Sequence, residues 1–195
     1  MPKIIAQGAE AKLLKDDGKI IKKRIEKGYR VKELDEKLRG ERTELEKRLI
    51  EKARTAGVPV PEIIDKREFN LEIEFIEGEK VKNVLNDDLS LCDQIGENIA
   101  RLHNRNIIHG DLTTSNMIER DSDIYFIDFG LGYFSQRVED KAMDLFLLNH
   151  VLKSTHYEVW EKAFDKIKQS YIENYEKGEA VIERLQEVKK RGRYK

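Results

Sequence analysis

His109-Gly110-Asp111-Leu112-Thr113-Thr114-Ser115-Asn116, followed further on by Ile127-Asp128-Phe129-Gly130, is the stretch that decides how this chain is read. It orders three oxygen-bearing side chains: Asp111, then Asn116, then Asp128 directly before Phe-Gly. Phosphoryl transfer from ATP needs a carboxylate beside the accepting hydroxyl or water, and oxygen ligands that hold Mg²⁺ against the phosphates. Asp111 suits the first need, and Asn116 with Asp128 suits the second. A His-Gly-Asp turn alone also fits an ordinary loop between strands; the Asp-Phe-Gly that follows in order makes the set specific. His109 reads as a structural, backbone-bonded residue. Thr113, Thr114 and Ser115 read as hydroxyls that bond the loop backbone, or of which one is phosphorylated.

Working outward toward the N-terminus, Lys3–Ile5, Ala11–Leu14 and Lys19–Ile25 are predicted strands, with turns at Gln7-Gly8-Ala9 and Asp16-Asp17-Gly18. Asp-Gly at 17–18 is a hairpin signal. Residues 33–56 are a predicted long helix, with Leu34, Leu38, Leu45, Leu49 and Ala53 at helical spacing and Gly57 as its stop. Ile63–Ile64 and Leu71–Ile76 are two further strands around a turn at Arg67–Asn70. Glu77-Gly78 is the expected lobe boundary. Beyond it, Ser90 is the expected cap of a helix over 90–104, paired with Asp93 in a capping-box pattern. Ile107–Ile108, Met117–Ile118 and Tyr125–Ile127 are short strands framing the motif loops, and helices are expected near 139–153, 157–176 and 178–190. The fold class is α+β: a small β-rich lobe carrying one helix over 1–77, then a mainly helical lobe over 78–195.

Further candidates follow from this layout. The turn Gln7-Gly8-Ala9-Glu10-Ala11 is small enough for backbone N–H groups to approach phosphate, though with one glycine it also suits a plain hairpin. Lys22 and Lys23 lie on the third strand, where a lysine can bridge phosphates and pair with a helix glutamate. Adjacent strand residues face opposite ways, so one of the two enters the cleft. Glu46, at the edge of the helix stripe, is the candidate partner, or else a surface glutamate. Asp144, read as lying at a helix start, is suited either to holding the motif loop through backbone N–H groups or to capping the helix. Asp140 and Lys141 are placed over the cleft. Lys189, Lys190, Arg191, Arg193 and Lys195 form a basic end that either contacts RNA phosphates in a salt-dependent way or is simply solvated.

Bulk properties narrow the class. Lys and Arg total 37 against 38 Asp and Glu, a net charge of −1, so overall charge predicts no nucleic-acid binding. The single cysteine, Cys92, excludes an intramolecular disulfide framework and a zinc cluster, and reads as a core thiol. No apolar run approaches 18 residues and no signal peptide is visible, so the expectation is a cytoplasmic protein without membrane association.

The ordered blocks Gln7–Ala11, Ile21-Lys22-Lys23-Arg24 with Lys27-Gly28-Tyr29-Arg30, Arg42-Thr43 through Glu46, Glu74–Gly78, His109–Asn116, Asp128–Gly132, Glu139-Asp140-Lys141 with Asp144-Leu145, and Val188 to Arg193 resemble the PRPK-type family, the small atypical kinase subunits of the KEOPS complex. The resemblance covers nearly the whole chain. It implies a minimal bilobal protein-kinase-like fold, with ATP and Mg²⁺ as cofactors. It favours Lys22 over Lys23 as the phosphate lysine held by Glu46, and puts adenine against Glu74-Phe75-Ile76. It further implies a role in threonylcarbamoyladenosine modification of tRNA, acting mainly as an ATPase, with serine/threonine autophosphorylation in isolation. The implied partners are the tRNA-modification enzyme subunit, a small KEOPS partner on the N-lobe, and tRNA through the complex, with the basic end assisting. Only residues 131–138 separate the Asp-Phe-Gly block from Glu139, and no Ala-Pro-Glu segment follows, so an activation loop that docks peptides has no room. A RIO-like or small-molecule kinase with another acceptor, and a scaffold subunit, are the competing readings.

Overall fold

A computed structural model describes residues 2–192. The chain opens with an antiparallel meander of β1 (Lys3–Gln7), β2 (Ala11–Asp16) and β3 (Lys19–Arg24). Asp17 and Gly18 join β2 to β3 with φ of 37° and 71°, the pair of positive values that a tight right-twisting hairpin requires. Helix α1 (Lys32–Thr55) follows and stops at Gly57, whose φ is 78°. β4 (Ile63–Arg67) and β5 (Asn70–Glu74) complete a five-stranded sheet in the order β1-β2-β3-β5-β4. β3 is therefore central, paired on both edges, and its alternation buries Ile20, Lys22 and Arg24 on the face toward α1 while Lys23 faces solvent.

Polar partners mark where α1 departs from its predicted stripe: Asp35 is held by the Lys27 N–H, Arg30 and Arg39, and Glu46 by Lys22 and Arg24. Leu34 is exposed at 51%, whereas Asp35, Thr43 and Glu46 are buried together with Leu49, Ile50 and Ala53. The first half of the helix meets charged neighbours, so it turns acidic and hydroxyl side chains inward. Only its second half packs leucine, isoleucine and alanine into the core. An apolar count along the helix includes Leu34 and Leu38 of the first half, and Leu34 is where it fails.

After β5 the chain enters the helical half through β6 (Glu79–Lys80), α2 (Val81–Val84) and α3 (Leu91–Asn104). β7 (Ile107–Ile108), a single 3₁₀ turn (Thr114–Asn116), β8 (Met117–Arg120), β9 (Asp123–Phe126) and β10 (Tyr133–Phe134) frame the motif loops. β8 pairs with β6 and β9, and β7 pairs with β10. Helices α4 (Val138–Thr155), α5 (Trp160–Asn174) and α6 (Gly178–Gly192) close the fold. The α+β class read from the sequence holds. β6, α2 and β10 are too short for any periodicity to announce them. No helix among the described residues is long and apolar enough to cross a membrane.

Two local expectations change. Ser90 is already helical (φ −69°, ψ −25°) and caps nothing. Its N–H and Oγ instead both donate to Asp88, at 2.8 and 2.5 Å, and Asp93 pairs with Lys166 of α5 at 3.3 Å. A helical backbone turns the serine hydroxyl away from the next N–H groups, so the capping box does not form. Cys92 behaves as expected: it is fully buried, and burial pushes its thiol up to about 12.

α3 and α5 approach closely at Gly96. A Cβ there would lie 2.5 Å from the Ile167 carbonyl oxygen and 2.8 Å from Ser170 Cβ, both within the core. Gly96→Ala should therefore destabilise the fold by about 1–3 kcal/mol through overpacking. Urea unfolding checks this, and an unshifted midpoint would show that the two helices move apart without cost.

Candidate active site

The site is assembled from one strand, one helix and two loops. β3 delivers Lys22, and α1 delivers Glu46 across the buried face. Lys22 Nζ donates to Glu46 Oε1 at 2.5 Å and to Asp128 Oδ1 at 2.7 Å. Lys22 and Glu46 are nearly closed to solvent, while Asp128 keeps 47% of its side chain open. Of the two neighbouring lysines, Lys22 is thus the one that enters the cleft. Burial alone would lower its ammonium pKa, but the Glu46 and Asp128 carboxylates more than reverse that, and the net direction is upward from 10.5. At Asp128 burial pushes upward, yet Lys22 and the Gly130 N–H hold the carboxyl below its ordinary 3.8.

Asp128 sits in the left-handed region, φ 62°, a conformation aspartate tolerates better than most residues. Its Oδ1 accepts the Gly130 N–H at 3.2 Å, which helps hold the bend. A Cβ at Gly130 would come 2.8 Å from Lys22 Nζ and 3.0 Å from Asp128 Oδ1, so this position must be glycine for the ion chain to close.

The Asp111 loop hangs from α4. Asp144 accepts the backbone N–H groups of His109 and Gly110 at 2.7 and 2.9 Å. It lies in the second turn of α4, not at its start. His103 faces Asp144 at 3.5 Å and Tyr171 at 2.8 Å, extending the support to α5. His109 is buried and neutral, because desolvation lowers its pKa. Its Nε2–H donates to the Ile127 carbonyl at 3.1 Å, and Nδ1 accepts the Asp111 N–H at 3.3 Å. The ring therefore joins the two motif loops and takes the structural place read from the sequence. Gly110, φ 77°, lies where a Cβ would meet the Leu131 carbonyl at 2.3 Å. Asn116 Nδ2 donates to both the backbone oxygen and the Oδ2 of Asp111, at 3.0 and 2.8 Å, which orients that carboxylate. Thr114 bonds His156, which in turn bonds Asn86, so this hydroxyl is structural.

Two adjoining cavities meet at this set. The inner one, about 290 Å³, is walled by aliphatic side chains such as Ile20, Ile73 and Ile118, and reaches Glu74-Phe75-Ile76, Asn116 and Asp128. The outer one, about 420 Å³, is lined by Gln7-Gly8-Ala9-Glu10-Ala11 with Lys22, Arg24, Asp111 and Asp128. An apolar slot opening into a polar mouth fits a flat base carrying a charged tail. Among the described residues, no three His, Cys, Asp or Glu side chains cluster to hold a metal unaided. Asn116 and Asp128 supply oxygen donors only. That suits a hard cation such as Mg²⁺, which fills its remaining positions with phosphate and water oxygens.

Several expected roles change in the structure. Gly8 N–H donates to the Ala11 carbonyl at 3.0 Å, closing the turn on itself, so it is not offered to a ligand. Glu10 turns toward Lys27 and Arg42, each 3.7 Å away. Glu74 lines the inner cavity, but its carboxylate is taken by Arg120 at 2.8 Å and by the Glu62 N–H at 3.2 Å. Asp140 accepts from Ser135 at 2.5 Å, and buried Lys141 donates to Asn106 and Tyr175 at 3.1 and 2.8 Å. Neither lines the two cavities, because both are held beneath β10 and α5 instead of over the cleft. At the basic end, α6 includes Lys189, Lys190 and Arg191, and Lys189 Nζ lies 4.7 Å from the Phe164 ring centroid. Arg193 and Lys195 fall outside the described residues. Arg24 and His103 join the site in the structure without a place among the residues predicted from sequence. Strand alternation, counting two residues on from Lys22, was the available signal for Arg24.

A family model described as the RIO domain matches residues 12–150. The chain is 41% identical to "KEOPS complex subunit Bud32" of Pyrococcus abyssi, covering 99% of this chain and 96% of that protein. It is 44% identical to the "Probable serine/threonine-protein kinase BUD32 homolog" of Archaeoglobus fulgidus, covering 95% and 92%. It is 42% identical, over 98% of its length, to the "Probable bifunctional tRNA threonylcarbamoyladenosine biosynthesis protein" of Methanosarcina mazei, of which it spans only 35%. Among solved structures, the Chaetomium thermophilum Rio2 kinase–ADP/Mg²⁺–phosphoaspartate complex superposes with TM-score 0.62 at 15% identity, covering 99% of this chain and 71% of that one. "WaaP in complex with acyl carrier protein" gives 0.70 at 10%, covering 98% and 88%. Likeness at such identity speaks for the fold alone.

The ion chain carries a pH signature. Asp128, with its pKa depressed, contributes stability that is present above 3.8 and lost as pH falls through its folded value; Lys22, with its pKa raised, contributes stability present below 10.5 and lost as pH rises through its folded value. The parent should therefore lose more unfolding free energy than Lys22→Met between about pH 5 and pH 3. Denaturant unfolding across that window checks it, and parallel losses would show that Lys22 does not set the Asp128 carboxyl.

Proposed function

The chain belongs to the RIO-domain family of atypical kinases, and on that premise we propose that it is a Bud32-type, Mg-ATP-dependent phosphotransferase and ATPase of a KEOPS complex, supporting threonylcarbamoyladenosine modification of tRNA. The observation that carries the chemistry is the Lys22 ammonium held between Glu46 and Asp128 at 2.5 and 2.7 Å, beside the cavity that Asp111 lines.

In this reading the nucleoside occupies the aliphatic inner cavity and the phosphates occupy the outer one. Lys22, kept in place by Glu46, contacts the α- and β-phosphates. Asn116 and Asp128 would hold Mg²⁺, which would supply positive charge against the phosphates. Asp111, oriented by Asn116, positions the attacking water or hydroxyl and accepts its hydrogen bond. His109 takes no proton, since both ring nitrogens are committed to backbone.

The segment after Gly130 limits the acceptor. The stretch 131–138 is short, β10 within it pairs at once with β7, and the Ser135 N–H donates to the Asn106 carbonyl at 2.8 Å. That pinned path offers no platform for an extended peptide. It favours water, the protein's own hydroxyls, or a group presented by a partner. The full-length match to a protein named as a KEOPS subunit supports assembly with a tRNA-modifying enzyme. So does the match to about a third of a bifunctional threonylcarbamoyladenosine biosynthesis protein, where a related domain shares one chain with further sequence. A small partner on the N-lobe and tRNA approaching through the complex belong to the same proposal, with Lys190 and the residues after it as candidate contacts.

Asp111→Ala and Asp128→Ala should each lower ATP hydrolysis and autophosphorylation by about 10²-fold or more. Single-turnover assays on the full chain, alone and with the modifying enzyme, check this. Parent-like rates in both variants would remove Asp111 and Asp128 from the chemistry. Normal tRNA modification with both variants would leave a scaffolding role instead.

A further inference from the structure

Arg24 is among the most enclosed charged side chains of the described residues, with 4% of its surface exposed. Strand alternation sets it on the same face of β3 as Lys22. Its Nη2 donates to Glu46 Oε2 at 2.6 Å and to the Arg42 backbone carbonyl at 3.3 Å. Glu46 Oε1 is occupied by Lys22. Glu46 thus holds two cations, one on each carboxylate oxygen. Arg42 lies one helical turn before Glu46 on α1, so Arg24 grips the helix through both its backbone and its glutamate. The four charges balance: Lys22 and Arg24 against Glu46 and Asp128. Without Arg24, buried Glu46 would share one ammonium with the half-open Asp128 and keep its second oxygen without a cation, an uncompensated buried charge of the kind that weakens such a cluster.

In protein kinases generally, engagement of the strand lysine with the helix glutamate is controlled by activation-loop phosphorylation and helix position. Here the segment after Gly130 is short and pinned. We propose that Arg24 is a positioning residue that keeps α1 docked and the Glu46–Lys22 pair engaged without an activation segment, so that the chain is built in its working arrangement. The inference rests on the phosphoryl-transfer reading of the same site. Arginine fits this position because its planar guanidinium stays charged and presents several donors in a fixed fork, which a lysine cannot do. Arg24 also borders the outer cavity. Direct contact with phosphate is the rival role, and it would show in KM.

The test uses the full chain as Arg24→Met, Arg24→Lys, Glu46→Gln and the Arg24→Met/Glu46→Gln double variant. Mg-ATP turnover and amide hydrogen exchange over residues 43–50 without nucleotide are measured. Arg24→Met should lower kcat by about tenfold or more while KM changes by less than about threefold. Arg24→Lys should recover part of the loss. The double variant should be no slower than Glu46→Gln alone, because Arg24 acts through Glu46. Amides of residues 43–50 should exchange faster in Arg24→Met. Unchanged kcat in folded Arg24→Met, multiplied losses in the double variant, or a raised KM at constant kcat would each overturn the proposal. If Arg24→Met does not fold, Arg24→Lys decides: lowered kcat with faster exchange supports it, and parent-like values in both overturn it. If the parent itself neither hydrolyses ATP nor phosphorylates, the phosphoryl-transfer reading falls. The exchange data still decide whether Arg24 docks α1, and parent-like exchange in the Arg24 variants overturns that.

Discussion

An ammonium group in a closed site needs acceptors that replace its lost water, and for Lys22 these are the carboxylates of Glu46 and Asp128. Glu46 comes from a helix, Asp128 from a loop of the other half of the chain, and Lys22 from the central strand between them. Breaking a buried pair of this kind by removing one partner costs about 3–5 kcal/mol, because the remaining charge is left uncompensated. The same contact therefore docks α1 on the sheet, draws the 128–130 loop toward β3, and leaves the open half of Asp128 facing the outer cavity. Arg24 extends the constraint by occupying the second oxygen of Glu46.

The other carboxylate of the site is positioned by a different route. Asp111 depends on a loop whose backbone is held by Asp144, and Asp144 is backed by His103 and Tyr171 in the helical core. Asn116 then sets the carboxylate itself. Each half of the molecule thus presents its own charged groups, and His109 links the two motif loops through its ring nitrogens. At the back of the cleft the Glu74–Arg120 pair, with Arg120 4.3 Å from the Tyr125 ring centroid, ties the end of β5 to β8. Glu74 is for this reason a brace between halves, and its side chain is not available to a base.

Much of this was legible along the chain. The order Asp111, Asn116, Asp128 marked the loops that line the two cavities, and Asp17-Gly18 announced its hairpin, because both depend on local spacing. The strand-and-helix layout followed from periodicity, and the α+β class with it. What failed depended on three-dimensional partners. Leu34 looked like core and is exposed, since at that end of α1 the buried side is taken by Asp35 with its Arg30 and Arg39 partners. Ser90 looked like a cap, but its backbone was already helical. Asp140 and Lys141 sit beside the motif in sequence yet are drawn under β10 by Ser135, Asn106 and Tyr175. The choice between Lys22 and Lys23 could not be made from the residues alone, because it turns on which face of β3 meets α1. The structure puts Lys22 on that face and Arg24 beside it.

On this proposal, a RIO-family kinase fold with a short, pinned segment after Gly130 has its working geometry built into side chains of the core and does not wait for a docking loop. Everything proposed for the site depends on Lys22 as the cation that links the ion chain to nucleotide. Titration calorimetry of Mg-ATP against Lys22→Met and Lys23→Met tests that most directly. The predicted result is an affinity loss of about tenfold or more for Lys22→Met, the scale of one charge-assisted contact, and a change within about twofold for Lys23→Met. Equal losses in the two variants, or a larger loss in Lys23→Met, would contradict it.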